Sequence, residues 1–269
     1  MKRYLNLSLL VVLALATCQC KSGNKTTEQA QDAVVAETTP ALNTLTQQEI
    51  AGGWKLLFDG QTTNGWRGAH KDAFPDHGWK VENGELIVLN ADGSESTNGG
   101  DIVYASEEFS AFELSVDFKI TEGANSGIKY FVTEKEKASG SAFGLEFQLL
   151  DDAVHPDANL YTSFPGSRRM AGLYDLIKPE NVHFNGVGTW NTAIVKVFPN
   201  NHVEHWLNGV KTVEYDRGSD TFRELVKGSK YAAPVYNEFG KFGEVSSGRI
   251  LLQDHGNEVS FRNIKIRTL

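Results

Sequence analysis

Cysteine is nearly missing from this sequence. Cys18 and Cys20 are the two it has, and nothing beyond Cys20 in its 269 residues carries a thiol. That excludes a structural disulfide and a thiolate metal site from the rest of the chain, so any metal would need oxygen or imidazole ligands. Proline is scarce at seven, and 26 glycines with no fixed period exclude a collagen-like or low-complexity chain. Basic residues are outnumbered, with 26 Lys and Arg against 34 Asp and Glu. No basic run is interleaved with aromatics, which argues against a nucleic-acid partner. Long apolar runs are absent apart from Leu5 to Ala16, which is too short to span a membrane as a helix.

That one run is framed by Lys2 and Arg3 before it and by Leu15-Ala16-Thr17-Cys18 after it. The order matches the charged, apolar and cleavage regions of a secretory signal. Its ending resembles a bacterial lipobox, so residues 1–17 read as a lipoprotein signal peptide and Cys18 as the lipidated first mature residue, with Cys20 the poorer alternative. Removing Lys2 and Arg3 leaves 24 basic against 34 acidic side chains, about −10. Residues 18–49 are rich in Thr, Gln, Ala, Glu, Ser and Asn and hold too little apolar surface to offset ordering entropy, so they read as a disordered tether. The expected location is exported, membrane-anchored only through the N-terminal lipid, facing the periplasm or the cell surface.

What is abundant lies in residues 50–269. Fifteen Phe, eight Tyr and five Trp supply a sizeable core. Strand-like runs alternate with Gly, Asn and Asp: Trp79–Val81, Glu85–Leu89, Phe112–Ile120, Ser126–Val132, Phe143–Leu150, Thr192–Phe198, His202–Leu207, Lys211–Tyr215, Arg249–Gln253 and Val259–Arg267. Glu82-Asn83-Gly84 and Leu207-Asn208-Gly209 read as hairpin turns. A short helix around Thr221–Leu225 is the one helical signal. The pattern predicts an all-β, jelly-roll sandwich.

The stretch from Gly144 to Asp152 is the most informative segment. With a period of two, Leu145, Phe147 and Leu149 point one way, and Glu146, Gln148 and Asp152 the other. A carboxylate, an amide and a second carboxylate in one row suit chemistry on a polyhydroxylated substrate, or a solvated outer sheet face. The same parity sets Lys129 and Phe131 opposite Ile128 and Tyr130, and sets Gln253 and His255 opposite Ile250 and Leu252. His205 shares its face with Val203 and Leu207, which suggests a core histidine and turns Trp206 outward as a sugar platform. Gly127 in Asn125-Ser126-Gly127 marks a close backbone approach. The long segment from His155 to Tyr174, with Arg168 and Arg169, reads as a lid.

Several stretches taken in order carry a family resemblance. They are Gly53-Trp54-Lys55-Leu56-Leu57-Phe58-Asp59-Gly60 with Asn64-Gly65-Trp66, then Gly123-Ala124-Asn125-Ser126-Gly127-Ile128 and the Glu146-x-Gln148-x-x-Asp151-Asp152 strand. Ala171-Gly172-Leu173-Tyr174-Asp175-Leu176, His205-Trp206-Leu207-Asn208-Gly209, Leu252-Gln253-Asp254-His255-Gly256 and Phe261-Arg262-Asn263-Ile264 follow. From about Gly52 to Leu269 the chain resembles the 3-keto-disaccharide hydrolase domain family. The resemblance implies a concanavalin A-like jelly roll of two curved antiparallel sheets with its site on the concave face. It also implies cleavage of an oligosaccharide or glycoside oxidised at C3, by elimination and then hydration, and hence dependence on a sugar 3-dehydrogenase.

That chemistry needs a base near C2, a stabiliser for the enolate oxygen and an acid near the leaving oxygen. Glu146 is the candidate base, Lys129 or His255 the stabiliser, and Asp152 or His255 the acid. Gln148, Gln253, Asn125, Tyr174, His205, Trp206 and Arg168 are candidate substrate contacts. Asp151 and Asp152 have a second reading, as residues that end a strand and bind turn amides. No cofactor is firmly implied, and a divalent metal such as Ca²⁺ is compatible with the available ligands. A lectin-like binding module and an ordinary two-carboxylate glycosidase are the competing functions.

Overall fold

Alternation of apolar and polar residues builds two antiparallel sheets. The computed structural model describes residues 41–91, 93–94, 98–134, 142–237 and 241–269. The signal segment, Cys18, Cys20 and the tether up to residue 40 lie outside them. Among the described residues the strands are β1 (Lys55–Leu56), β2 (Trp66–Gly68), β3 (Trp79–Glu82), β4 (Glu85–Val88), β5 (Ile102–Tyr104), β6 (Phe112–Ile120) and β7 (Asn125–Thr133). They continue with β8 (Phe143–Leu150), β9 (Asn191–Val197), β10 (His202–Leu207), β11 (Val210–Asp216), β12 (Arg249–Leu252) and β13 (Val259–Thr268). The larger sheet runs β11-β10-β9-β6-β13-β4-β3, with β1 also on β13, and the smaller runs β2-β5-β12-β7-β8. This is the all-β concanavalin A-like sandwich. No described helix is long and apolar enough to cross a membrane.

The β3–β4 and β10–β11 hairpins turn on Asn83-Gly84 and Asn208-Gly209. All four residues have positive φ, at 52°, 78°, 49° and 81°, as a tight hairpin of this twist requires. The core lies between the sheets. Phe112, Leu114, Val116, Phe118 and Ile120 of β6 and Phe261, Ile264 and Ile266 of β13 come from one side. Ile128, Tyr130, Leu145, Phe147, Leu149, Ile250 and Leu252 come from the other. Each such side chain contributes roughly 1.5–3 kcal/mol by leaving water.

Three short strands, β1, β2 and β5, were not visible in the apolar pattern, since two or three residues show no period. The fold also begins before Ile50. Residues 47–51 form helix α1 (Gln47–Ala51), closed by a capping box between Thr46 and Glu49. Asn43 joins the body through its amide, donating to the Gly84 carbonyl at 2.8 Å, and through its backbone, donating to Asn263 Oδ1 at 2.7 Å. Polar anchors of this kind leave no trace in hydrophobicity. The expected short helix is present as α2 (Asp220–Gly228), capped by Ser219.

Beyond β8 the chain returns along that strand's free edge. Ala171 N–H donates to the Gln148 carbonyl at 2.8 Å, Gln148 N–H to Gly172 at 3.2 Å, and Tyr174 N–H to Glu146 at 3.1 Å. An exposed strand edge is thereby paired and covered.

Candidate active site

Glu146 on β8 stands directly across the ladder from Lys129 on β7, and Gln148 from Gly127. Facing side chains on one antiparallel pair lie within about 5 Å at Cβ. Both Glu146 and Lys129 point away from the core yet are only 4% and 5% exposed, because other segments cover this face. Gly127 makes room here: a Cβ at that position would press on the Glu146 side chain. The close approach expected at Asn125-Ser126-Gly127 therefore shapes the cleft rather than forming a bulge.

The polar row is joined internally. With its amide nitrogen turned toward Glu146, Gln148 donates to Glu146 Oε1 at 2.9 Å and to the Ser126 carbonyl at 3.3 Å, and its oxygen faces the Asn125 amide at 3.1 Å. Lys129 Nζ lies 3.3 Å from Asp101 Oδ2, and Asp101 Oδ1 accepts from the Asp254 N–H at 3.0 Å. Asp254 is fully buried and accepts from the N–H groups of Gly99, Gly100 and Gly256 at 2.9, 2.7 and 2.9 Å. Two buried carboxylates thus clamp the ends of β5 and β12 and hold Gln253 and His255 at the rim.

Around this floor lies a cleft of about 130 Å³ lined by Asn125, Lys129, Phe143, Glu146, Tyr174, Lys230, Tyr231, Tyr236, Gln253 and His255. His255 Nδ1 lies 3.1 Å from the Gly93 carbonyl, which can only accept. Nδ1 therefore carries the proton and Nε2 is left for exchange. The His155 ring meets His255 edge-on at 6.1 Å. Burial holds the His155 pKa down, helped by His255 and opposed by Asp157.

Tyr174 forms one wall. Its hydroxyl donates to Asp157 Oδ2 at 2.8 Å, and burial, followed by the charges of Glu146 and Asp157, pushes its pKa far up, so it stays a neutral donor. Arg168 is the hidden brace. It donates to Asp157 Oδ1 at 3.0 Å and to Asp175 Oδ1 at 2.7 Å, while Asp175 Oδ2 accepts from the Lys230 N–H at 2.7 Å. Lys230 Nζ then rests over the Tyr174 ring, 4.2 Å from its centre. One guanidinium ties together the two segments that supply Tyr174 and Lys230.

The sequence-named residues separate on this map. Glu146, Lys129, His255, Gln253, Asn125 and Tyr174 line the cleft; Gln148 lies beneath it, and Arg168 stands behind the wall. Asp152 does not reach it. The strand stops at Leu150, so the period of two no longer applies, and Asp152 Oδ1 accepts from the Met170 N–H at 2.9 Å. Asp151 likewise binds the N–H groups of Gly123 and Ala153, at 2.9 and 3.1 Å. His205 is a core histidine, fully buried, with Nε2 2.8 Å from the Tyr130 hydroxyl, which in turn lies 2.8 Å from Tyr215. Burial pushes its pKa down to about 3 against the pull of the Ala171 and Gly172 carbonyls. Trp206 lies on the larger sheet, donating to Glu204 at 2.9 Å, away from the cleft. Phe131 departs from the face it was expected to share with Lys129, for its φ of 53° at a bulge returns its ring to the core.

Asp101, His155, Asp157, Phe143, Lys230, Tyr231 and Tyr236 were missed. Asp101 precedes a strand too short to recognise, and the others sit at a strand start or in loops, where parity does not apply. For a divalent metal, the one cluster of three described His, Asp or Glu ligand atoms is His202, Glu204 and Glu214, outside the cleft. Lys211 already pairs with both of those glutamates.

Comparison with known proteins bears on the family and the fold. The model of the 3-keto-alpha-glucoside-1,2-lyase-like domain matches residues 53–267. A 3-keto-disaccharide hydrolase of Bacteroides thetaiotaomicron is 33% identical over 281 aligned residues, spanning 96% of this chain and 94% of that protein. A crystal structure from Parabacteroides distasonis, described as that of a candidate glycosyl hydrolase, is 31% identical with a TM-score of 0.70, covering 85% of this chain and all (100%) of the other. A second structure from the same organism, 24% identical with a TM-score of 0.59, covers 80% of this chain and 99% of its own, and shares the fold.

Proposed function

The chain belongs to the 3-keto-alpha-glucoside-1,2-lyase-like family and is carbohydrate-active, and from that premise we propose that it cleaves 3-keto-glycosides by elimination followed by hydration. The C3 ketone acidifies the C2 hydrogen. Glu146 removes that proton, and the electron pair becomes an enolate whose oxygen is met by the Lys129 ammonium. Collapse of the enolate forms the C1–C2 double bond and breaks the bond from C1 to the leaving oxygen, which takes a second proton, held on His255 Nε2. Water then adds at C1 and gives a proton back to His255 Nε2, Glu146 returns the abstracted proton to C2, and the net result is hydrolysis. With Asp152 outside the cleft, the acid role falls to His255.

The observation that carries this reading is the meeting of Glu146, Lys129 and His255 in one cleft. A lectin-like module has no use for that set. An ordinary glycosidase needs two carboxyl groups flanking the bond, roughly 5–9.5 Å apart, and Glu146 is the one carboxylate among the described residues lining the cleft. Incubation with a 3-keto-disaccharide, its C2-deuterated form and its unoxidised parent tests the reading. Cleavage of the ketone, slowed by deuterium when proton removal limits the rate, with the parent inert, is expected. Efficient cleavage of the parent would favour the two-carboxylate route instead.

The substrate must be oxidised before it arrives, so a sugar 3-dehydrogenase acts upstream. We also infer an exported lipoprotein held by acyl chains on Cys18, since two chains anchor stably and one only marginally. Cys18→Ala protein should leave the membrane fraction; its retention there, with Cys20 unmodified, would sink that inference.

A further inference from the structure

A second cavity of about 200 Å³ adjoins the cleft and shares Phe143, Gly144 and Tyr236 with it. It lies beside the point where β7 and β8 lose register, between Tyr130 and Thr133. Phe131 sits at that bulge with φ of 53°, a left-handed conformation that a bulky side chain rarely adopts. Strain of this kind persists only where the surroundings over-determine it, and it gathers at ligand sites.

The far wall is firmly built. Arg217 places its guanidinium 3.8 Å from the centre of the Phe131 ring and donates from Nη1 to the carbonyls of Gly243 and Val245, at 2.9 and 2.8 Å. Arg223 grips Glu244 with two bonds, at 3.0 and 2.8 Å. Phe143 and Tyr236 meet edge-on at 4.8 Å on the boundary between the two cavities. The second cavity thus offers the rings of Phe143 and Tyr236 at its side, with Asn237, Lys241 and Glu244 among its polar lining. An apolar platform with polar groups at its margin matches a pyranose, which has C–H faces and hydroxyl edges. Gly144 precedes Glu146 by two residues on β8, about 6.6 Å along the strand, a step comparable with one sugar ring.

We propose that this second cavity is the subsite for the leaving sugar of a 3-keto-disaccharide, the ketone-bearing ring lying over Glu146 and Lys129. The assignment rests on the elimination reading above. It makes the protein selective for disaccharides over glycosides with small leaving groups, and it makes the bulge at Phe131 the source of that selectivity.

Val245 lines the second cavity and not the first. Val245→Trp should fill it, lowering kcat/KM for the 3-keto-disaccharide at least tenfold, chiefly through KM, while methyl 3-keto-glucoside turns over within twofold of wild type. Lys241 is exposed, so Lys241→Ala carries little folding risk and should show the same selectivity loss, about threefold. Binding of free D-glucose, followed by chemical-shift perturbation, should be lost in Val245→Trp and weakened in Lys241→Ala. Equal losses on both substrates, or none on either with glucose binding unchanged, would overturn the subsite. Wild type inert toward both keto substrates, with glucose still bound and Val245→Trp blocking it, would sink the elimination reading and leave the subsite standing.

Discussion

Glu113 and Glu146 have the same local description in two different sheets. Each leaves the core on a long strand, and each faces a cation across the ladder: Lys196 and Arg267 for Glu113, Lys129 for Glu146. The difference is in what lies above them. Arg267 and Lys196 keep side-chain exposures of 35% and 27%, so the cations of that cluster reach water although Glu113 between them is itself buried. Lys129 keeps 6%, under the segments that carry Tyr174 and Lys230. Strand alternation sends charge outward from both sheets, and a covering loop turns one of the two charged rows into the floor of a cleft.

The widest gap between the two rows should appear in stability. Asp101→Ala would leave Lys129 buried without this partner, and losing half of a buried pair typically costs about 3–5 kcal/mol. Denaturant unfolding measures it, and a loss below about 1 kcal/mol would place Lys129 in an environment as wet as that of Arg267.

Acid sharpens the contrast between covered and open histidines. His205 has a folded pKa of about 3 against 6.5 when free, so the unfolded chain binds the extra proton. Its contribution is complete above pH about 6.5 and is lost as pH falls toward about 3, at roughly 1.4 kcal/mol per unit. His205→Gln, which keeps a hydrogen-bonding group for Tyr130, should flatten that limb of the stability–pH curve. An unchanged acid limb would assign the loss to other groups.

Next comes catalysis. Glu146→Gln should fold normally and lose at least about a hundredfold in elimination, the lower end of what a general base contributes. Near-normal turnover would move the base elsewhere, with His255 next. The smallest effect on turnover belongs to the other sheet: Glu113→Gln should leave kcat/KM unchanged, because its cations Arg267 and Lys196 already reach water. A loss of turnover there would erase the distinction between the faces.

Much of the fold was legible because long strands report their own parity. β6, β8 and β10 were bounded to the residue, and the Asn-Gly turns marked their hairpins. The same parity brought Glu146 and Lys129 to one face, and Gln253 and His255 reach it from just past the end of β12. It failed wherever the backbone left the β conformation, as at Asp152 past the end of β8 and at Phe131 in the bulge. It was silent on Asp157, Arg168 and Lys230, whose places depend on hydrogen bonds between loops far apart in sequence. Whether a polar strand face meets water or a cleft is decided by those loops.

The segment that pairs with β8 through Ala171, Gly172 and Tyr174 is both the cover of an open strand edge and the wall of the cleft. Widening the cleft by peeling that segment away would also bare a row of unpaired amides and carbonyls, a template for joining another chain. Substrate range and solubility are therefore coupled in this molecule. Adaptation to bulkier sugars is steered toward the side chains of Tyr236 and Val245, whose replacement bares no strand edge.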